Sequence, residues 1–71
     1  MNKENEMERI AVMADYEVKK HGELLAGRVE FVARIANPGK GYDLVARAQR
    51  AVARRLTVRE ADVKIVGLLS I

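Results

Sequence analysis

The chain predicts an α+β fold of two layers in ββαβ order, a three-stranded sheet with one main helix packed on one face. Three observations carry this expectation. Two segments alternate apolar with polar residues around a short glycine-containing turn, one segment rich in alanine, leucine and arginine repeats at helical spacing, and an apolar segment closes the sequence.

The first alternation places Ile10, Val12, Ala14, Tyr16 and Val18 on one side and Asp15, Glu17 and Lys19 on the other. Period two is the mark of a half-buried strand. Residues 1–8 are expected to be a frayed or helical lead-in; Met7, Ile10, Ala11 and Ala14 also fall at helical spacing, so a helix over residues 3–14 is the rival reading. Lys20-His21-Gly22-Glu23 supplies a turn, because glycine takes positive φ at little cost. A second alternation then sets Leu25, Gly27, Val29, Phe31, Ala33 and Ile35 against Arg28, Glu30 and Arg34, which completes a β-hairpin.

Asn37-Pro38-Gly39-Lys40-Gly41 ends the second strand, since proline lacks a donor and two glycines loosen the backbone. From Tyr42 to about Leu56, Leu44, Val45, Ala48, Ala51, Val52 and Leu56 form an apolar face, while Arg47, Arg50 and Arg54 line the opposite one. Thr57-Val58-Arg59-Glu60 fits a capping box and predicts a new helical turn over residues 58–61. The last strand, residues 63–71, has Val63, Ile65, Leu69 and Ile71 on one face and Val66 and Leu68 on the other, a pattern expected of a strand covered on both sides. If residues 29–35 and 63–71 run parallel, the helix is the crossover between them.

At 71 residues there is room for one small domain, 1–71, and a modest core, with about 60% of the unfolded surface buried on folding. Cysteine is absent, so neither disulfides nor thiolate metal sites add to that core, and association of copies is the remaining common supplement. The face opposite the helix would carry Met13, Leu24, Val32, Val66 and Leu68 and is the expected homo-oligomer interface; the other reading folds the N-terminal residues over it. MNKENEMER lacks an apolar run, and the longest nearly unbroken apolar stretch, residues 65–69, is far short of a membrane span, so the expected location is cytoplasmic, without a membrane partner.

Charge is segregated. Lys40, Arg47, Arg50, Arg54, Arg55 and Arg59 face only Asp43 within residues 40–59, a net +5, while the remaining 7 basic and 9 acidic residues give −2. A basic segment of this kind attracts anions. Arginine pairs bidentately with phosphate, so Lys40, Arg47, Arg50 and Arg54, with Arg59 at the rim, are the candidate contacts to a nucleic-acid backbone, made without regard to sequence. The alternative is an interaction module whose arginines meet an acidic protein or a neighbouring subunit, or simply stand on a solvated helix face. Tyr42 is the one aromatic placed to stack on a base, because Tyr16 and Phe31 fall on the helix-facing sides of their strands.

Pro38-Gly39-Lys40-Gly41 is not a phosphate-binding loop of the Walker type, which needs an upstream glycine and a hydroxyl after the lysine. His21 is the only histidine and Ser70 the only serine, so a nucleophile with a partnered base is not available within one chain, and no enzyme activity or cofactor is expected. Glu17, His21 and Glu23 are the only grouping that suggests a weak metal site, against the plainer reading of an exposed turn histidine. In element order, residues 29–67 resemble the second half of archaeal Alba chromatin proteins and the strand–helix–strand unit of dodecins. Alba proteins carry a leading strand–helix unit that this chain lacks, and dodecins place their hairpin after the helix, so no family is assigned and no residue role is carried over.

Overall fold

The computed structural model describes residues 8–36 and 43–71. Strand β1 (Glu8–Lys20) and strand β2 (Glu23–Ile35) form an antiparallel hairpin of 13 residues per strand, followed by helix α1 (Leu44–Leu56), a 3₁₀ turn (Glu60–Asp62) and strand β3 (Val63–Ser70). The sheet order is β2-β1-β3, and both neighbours of β1 are antiparallel to it. β2 and β3 therefore run parallel to each other with β1 between them, and α1 crosses over the central strand to connect them. The expected ββαβ architecture is the observed one.

The hairpin follows its alternation. His21 and Gly22 form a two-residue loop with φ of 53° and 77°, the double positive φ that a type I′ turn requires. Residues 8–14 belong to β1, so the helix reading over residues 3–14 fails where the structure describes them; its first part lies outside the described residues. Every helix-side residue expected in β1 and β2 sits there, and β1, in the middle, is the most enclosed: Val12 and Ala14 are fully buried and Val18 nearly so. Val29, Ala33 and Ile35 from β2, Ala48, Val52 and Ala53 from α1, and Val63 from β3 complete the core. Val12, Val18 and Val52 are the largest fully buried side chains, so the core is thin.

Strand β3 departs from expectation. Tyr16 pairs with Ile65 but Asp15 pairs with Gly67, which leaves Val66 as an extra residue in a β-bulge. The bulge inverts the alternation after it. Leu68 turns to the helix side, opposite Ala14, and packs against the core, while Leu69 takes the open face opposite Met13 at 61% exposure. Leu68 is thus removed from the expected open-face set, Leu69 enters it, and within one chain the open face of β3 is uncovered, with Val66 51% and Leu69 61% exposed.

Helix α1 starts where Asp43 accepts a hydrogen bond from the Ala46 N–H at 3.0 Å. Val45, expected on its apolar face, is 48% exposed. The helix ends at Thr57, which takes the left-handed conformation (φ 57°, ψ 52°) and donates its N–H to the Ala53 carbonyl, as does Val58 at 3.0 Å. Thr57 is therefore not the N-cap of a capping box. The next turn begins only at Glu60, with Arg59 before it and no side-chain cap. Lys20 reaches across from β1 to donate to the Leu56 carbonyl at 2.9 Å, a cation placed at the negative end of the helix.

A β-branched residue in the left-handed region costs about 1–2 kcal/mol, against about 0.5–1 kcal/mol of extra unfolded-chain entropy for glycine. Thr57→Gly is expected to stabilise the fold by about 0.5–1 kcal/mol net, read as a rise of a few degrees in thermal midpoint. A lower midpoint would show that the threonine side chain contributes more than its backbone strain removes.

Candidate nucleic-acid interface

Positions 47, 50 and 54 recur at intervals of three and four, so α1 carries their side chains on one stripe, rotated away from Ala48 and Val52. Because β2 is an edge strand beside that stripe, the three arginines do not simply radiate into solvent. Arg47, Arg50, Ala51 and Arg54 form one wall, and the β2 residues Phe31, Val32 and Ala33 the other, of an open groove of about 240 Å³. A row of guanidinium groups thus runs alongside a strand edge, where alternate backbone N–H and C=O groups lack a strand partner.

The electrostatics of the groove are one-sided. Among the described residues, Arg50 has one acidic neighbour, Glu60, with Nε 3.9 Å from a carboxylate oxygen and both side chains about half exposed. Arg47 and Arg54 have no ion pair among the described residues. Arg59 is differently placed. Its guanidinium holds Asp62 through Nε at 3.1 Å and Nη2 at 3.3 Å, and this pairing raises its pKa above the ordinary arginine value. It is 82% exposed at the side chain but already committed to a carboxylate, which makes it a weaker candidate than the three in the groove. Lys40 and Tyr42 lie outside the described residues.

The other candidate chemistry does not converge. Glu17 lies on the open face, register-paired with Lys64, whereas Glu23 pairs with Lys20 on the helix side, so the two carboxylates flank His21 on opposite faces of the hairpin. Among the described residues no group of three or more His, Cys, Asp or Glu side chains is placed to hold a metal ion. No helix among them is long and apolar enough to cross a membrane.

On the open face Asp15 and Arg28 are direct cross-strand partners joined at 2.7 Å. The hydrogen bond from Arg28 holds the Asp15 carboxyl below its ordinary pKa, and the same contact raises that of Arg28. Two features of the surface are not legible in the sequence: the β2 wall of the groove, and the pairing of Arg9 with Arg34 across the hairpin. Alternating charge along each strand is visible there, but which residues meet requires the register. No known protein family matches the chain, and no curated protein or solved structure is significantly similar to it.

Proposed function

We propose that this chain is a small binding protein that contacts nucleic-acid phosphates, without regard to base sequence, through Lys40, Arg47, Arg50 and Arg54, with Arg59 at the rim. The observation that carries the reading is the shared groove: three arginines line one concavity, and among the described residues their one ion pair is that of Arg50 with Glu60, at 3.9 Å and half exposed. Such a pair is worth little in water and yields readily to a phosphate, which a guanidinium grips with two parallel hydrogen bonds. The β2 edge supplies further backbone donors beside the arginines.

Binding of this kind is driven by release of counterions, so its signature is steep salt dependence. Fluorescence anisotropy with a labelled oligonucleotide is expected to show affinity falling about 20- to 100-fold between 50 and 200 mM salt, as three or four phosphate contacts imply. Affinity that stayed flat over that range, or no binding at 50 mM salt, would remove the phosphate reading. The arginines would then be left to an acidic protein partner or to solvent.

A further inference from the structure

The open face of the sheet has an order that α1 does not explain. Its successive rungs across β2 and β1 are Arg34 with Arg9, Val32 with Ala11, and Glu30 with Met13. β3 extends the apolar part: Ile71 donates its N–H to the Ala11 carbonyl at 2.8 Å, and Leu69 pairs with Met13. Along the strands the face therefore reads basic, apolar, acidic. Val32, Leu69 and Ile71 are each 58% or more exposed.

The basic rung is a local cost. Arg9 and Arg34 are direct cross-strand partners of like charge, an arrangement that destabilises a sheet, and neither has an ion pair among the described residues. Glu30 also has none among them; it feels the charge of its neighbour Arg28, whose guanidinium is hydrogen-bonded to Asp15. Glu30 and Arg34, both without an ion pair among the described residues, thus sit two residues either side of Val32 on one strand, too far apart along that strand to meet each other within a chain. A two-fold axis through the Val32–Ala11–Ile71 rung places them together. It stacks Val32 on Val32 and sets Glu30 of each copy opposite Arg34 of the other.

We propose that a second copy of this chain covers the open face, sheet on sheet, with its strands antiparallel to the first and centred on Val32. Two sheets packed in this way stand about 10 Å apart and interdigitate their inner side chains. Association would give a chain with a thin valine–alanine core a second apolar layer, the common remedy at this size. Each α1 then lies on an outer side of the dimer, so the two arginine grooves face away from each other.

The register makes an unusual test possible. Light scattering coupled to size exclusion is expected to give twice the 7.9 kDa chain mass for the native sequence. Val32→Lys sets like charges against each other at the axis, and Glu30→Arg or Arg34→Glu sets them against each other on either side. Each variant alone is expected to weaken the dimer by about 10- to 100-fold or more. Mixing the Glu30→Arg and Arg34→Glu chains restores opposite charges at both contacts, so the mixture is expected to recover the dimer mass. All three positions are exposed, and circular dichroism of each variant checks that the fold is kept. A native monomer at high concentration overturns the proposal, as does a dimer indifferent to Val32→Lys. Failure of the mixed chains to recover a dimer abolished in each alone overturns the register.

Discussion

Gly27→Val is expected to destabilise the protein by about 2 kcal/mol, even though valine is the better strand former. Gly27 is the register partner of Tyr16, and the tyrosine ring lies over it. A Cβ built at Gly27 would stand 2.5 Å from the Tyr16 hydroxyl oxygen and 2.8 Å from Cζ, well inside van der Waals contact. β-propensity favours valine over glycine by up to about 1 kcal/mol. Overpacking of a fitted site costs about 1–3 kcal/mol, and the ring, which packs against the core cluster, has to shift to make room. The second effect wins. A 71-residue domain has a total stability of only about 4–10 kcal/mol, so the loss is a large fraction of it. The thermal midpoint should fall by roughly 8–16 °C. Tyr16→Ala in the same chain vacates the space, and the double variant should therefore lose less than the two single losses added together. A Gly27→Val protein as stable as the native one would show that Tyr16 moves aside freely and that the glycine has no packing role.

The parts of this fold that are legible in the sequence are those fixed by local periodicity. The hairpin faces follow from strict alternation on both sides of His21-Gly22, and α1 follows from helix-forming residues with apolar positions three and four apart. The misread parts are those where one extra residue or one backbone angle decides. In β3 the bulge at Val66 shifts every later side chain to the other face, and an apolar run such as Val66-Gly67-Leu68-Leu69 reads equally well in either phase. Gly67, which sits directly after the bulged residue, is the one local hint. Thr57 satisfies the pattern of an N-cap in sequence, yet it closes the preceding helix, because the motif does not record the sign of φ. Asp43, a good N-cap type one residue before the apolar face begins, marks the true helix start.

The site divides in the same way. Spacing alone places Arg47, Arg50 and Arg54 on one stripe. That the stripe flanks an open strand edge depends on the order β2-β1-β3, which no local pattern in the chain specifies. Had β2 been the central strand, the same arginines would have stood over a paired strand with no edge to form a groove. The commitment of Arg59 to Asp62 is also a consequence of the 3₁₀ turn and not of the basic run.

Reversing the stripe is expected to have the larger functional effect. The triple variant Arg47→Glu, Arg50→Glu, Arg54→Glu should lose oligonucleotide binding by more than about 100-fold at low salt, because three attractive phosphate contacts become repulsive at once. Some stability will go with it. A carboxylate at position 50 would face Glu60 where an ion pair now stands, and the last turn of α1 would no longer have Arg54 at the negative end of its dipole. These are surface effects of at most about 1 kcal/mol each. The triple glutamine variant separates the causes, since it removes the positive charge without adding repulsion. It should keep the fold, weaken binding, and reduce the slope of log affinity against log salt by about one for each phosphate left without its arginine. A triple lysine variant keeps the charge but not the bidentate grip, so its slope should stay near native while its affinity falls. If the glutamate variant is folded by circular dichroism and binds at low salt as the native chain does, the groove is not the nucleic-acid site. Phosphate contacts would then have to come from another basic surface, of which the Arg9–Arg34 rung is the first to test, and binding there would compete with the dimer contact that uses the same arginine.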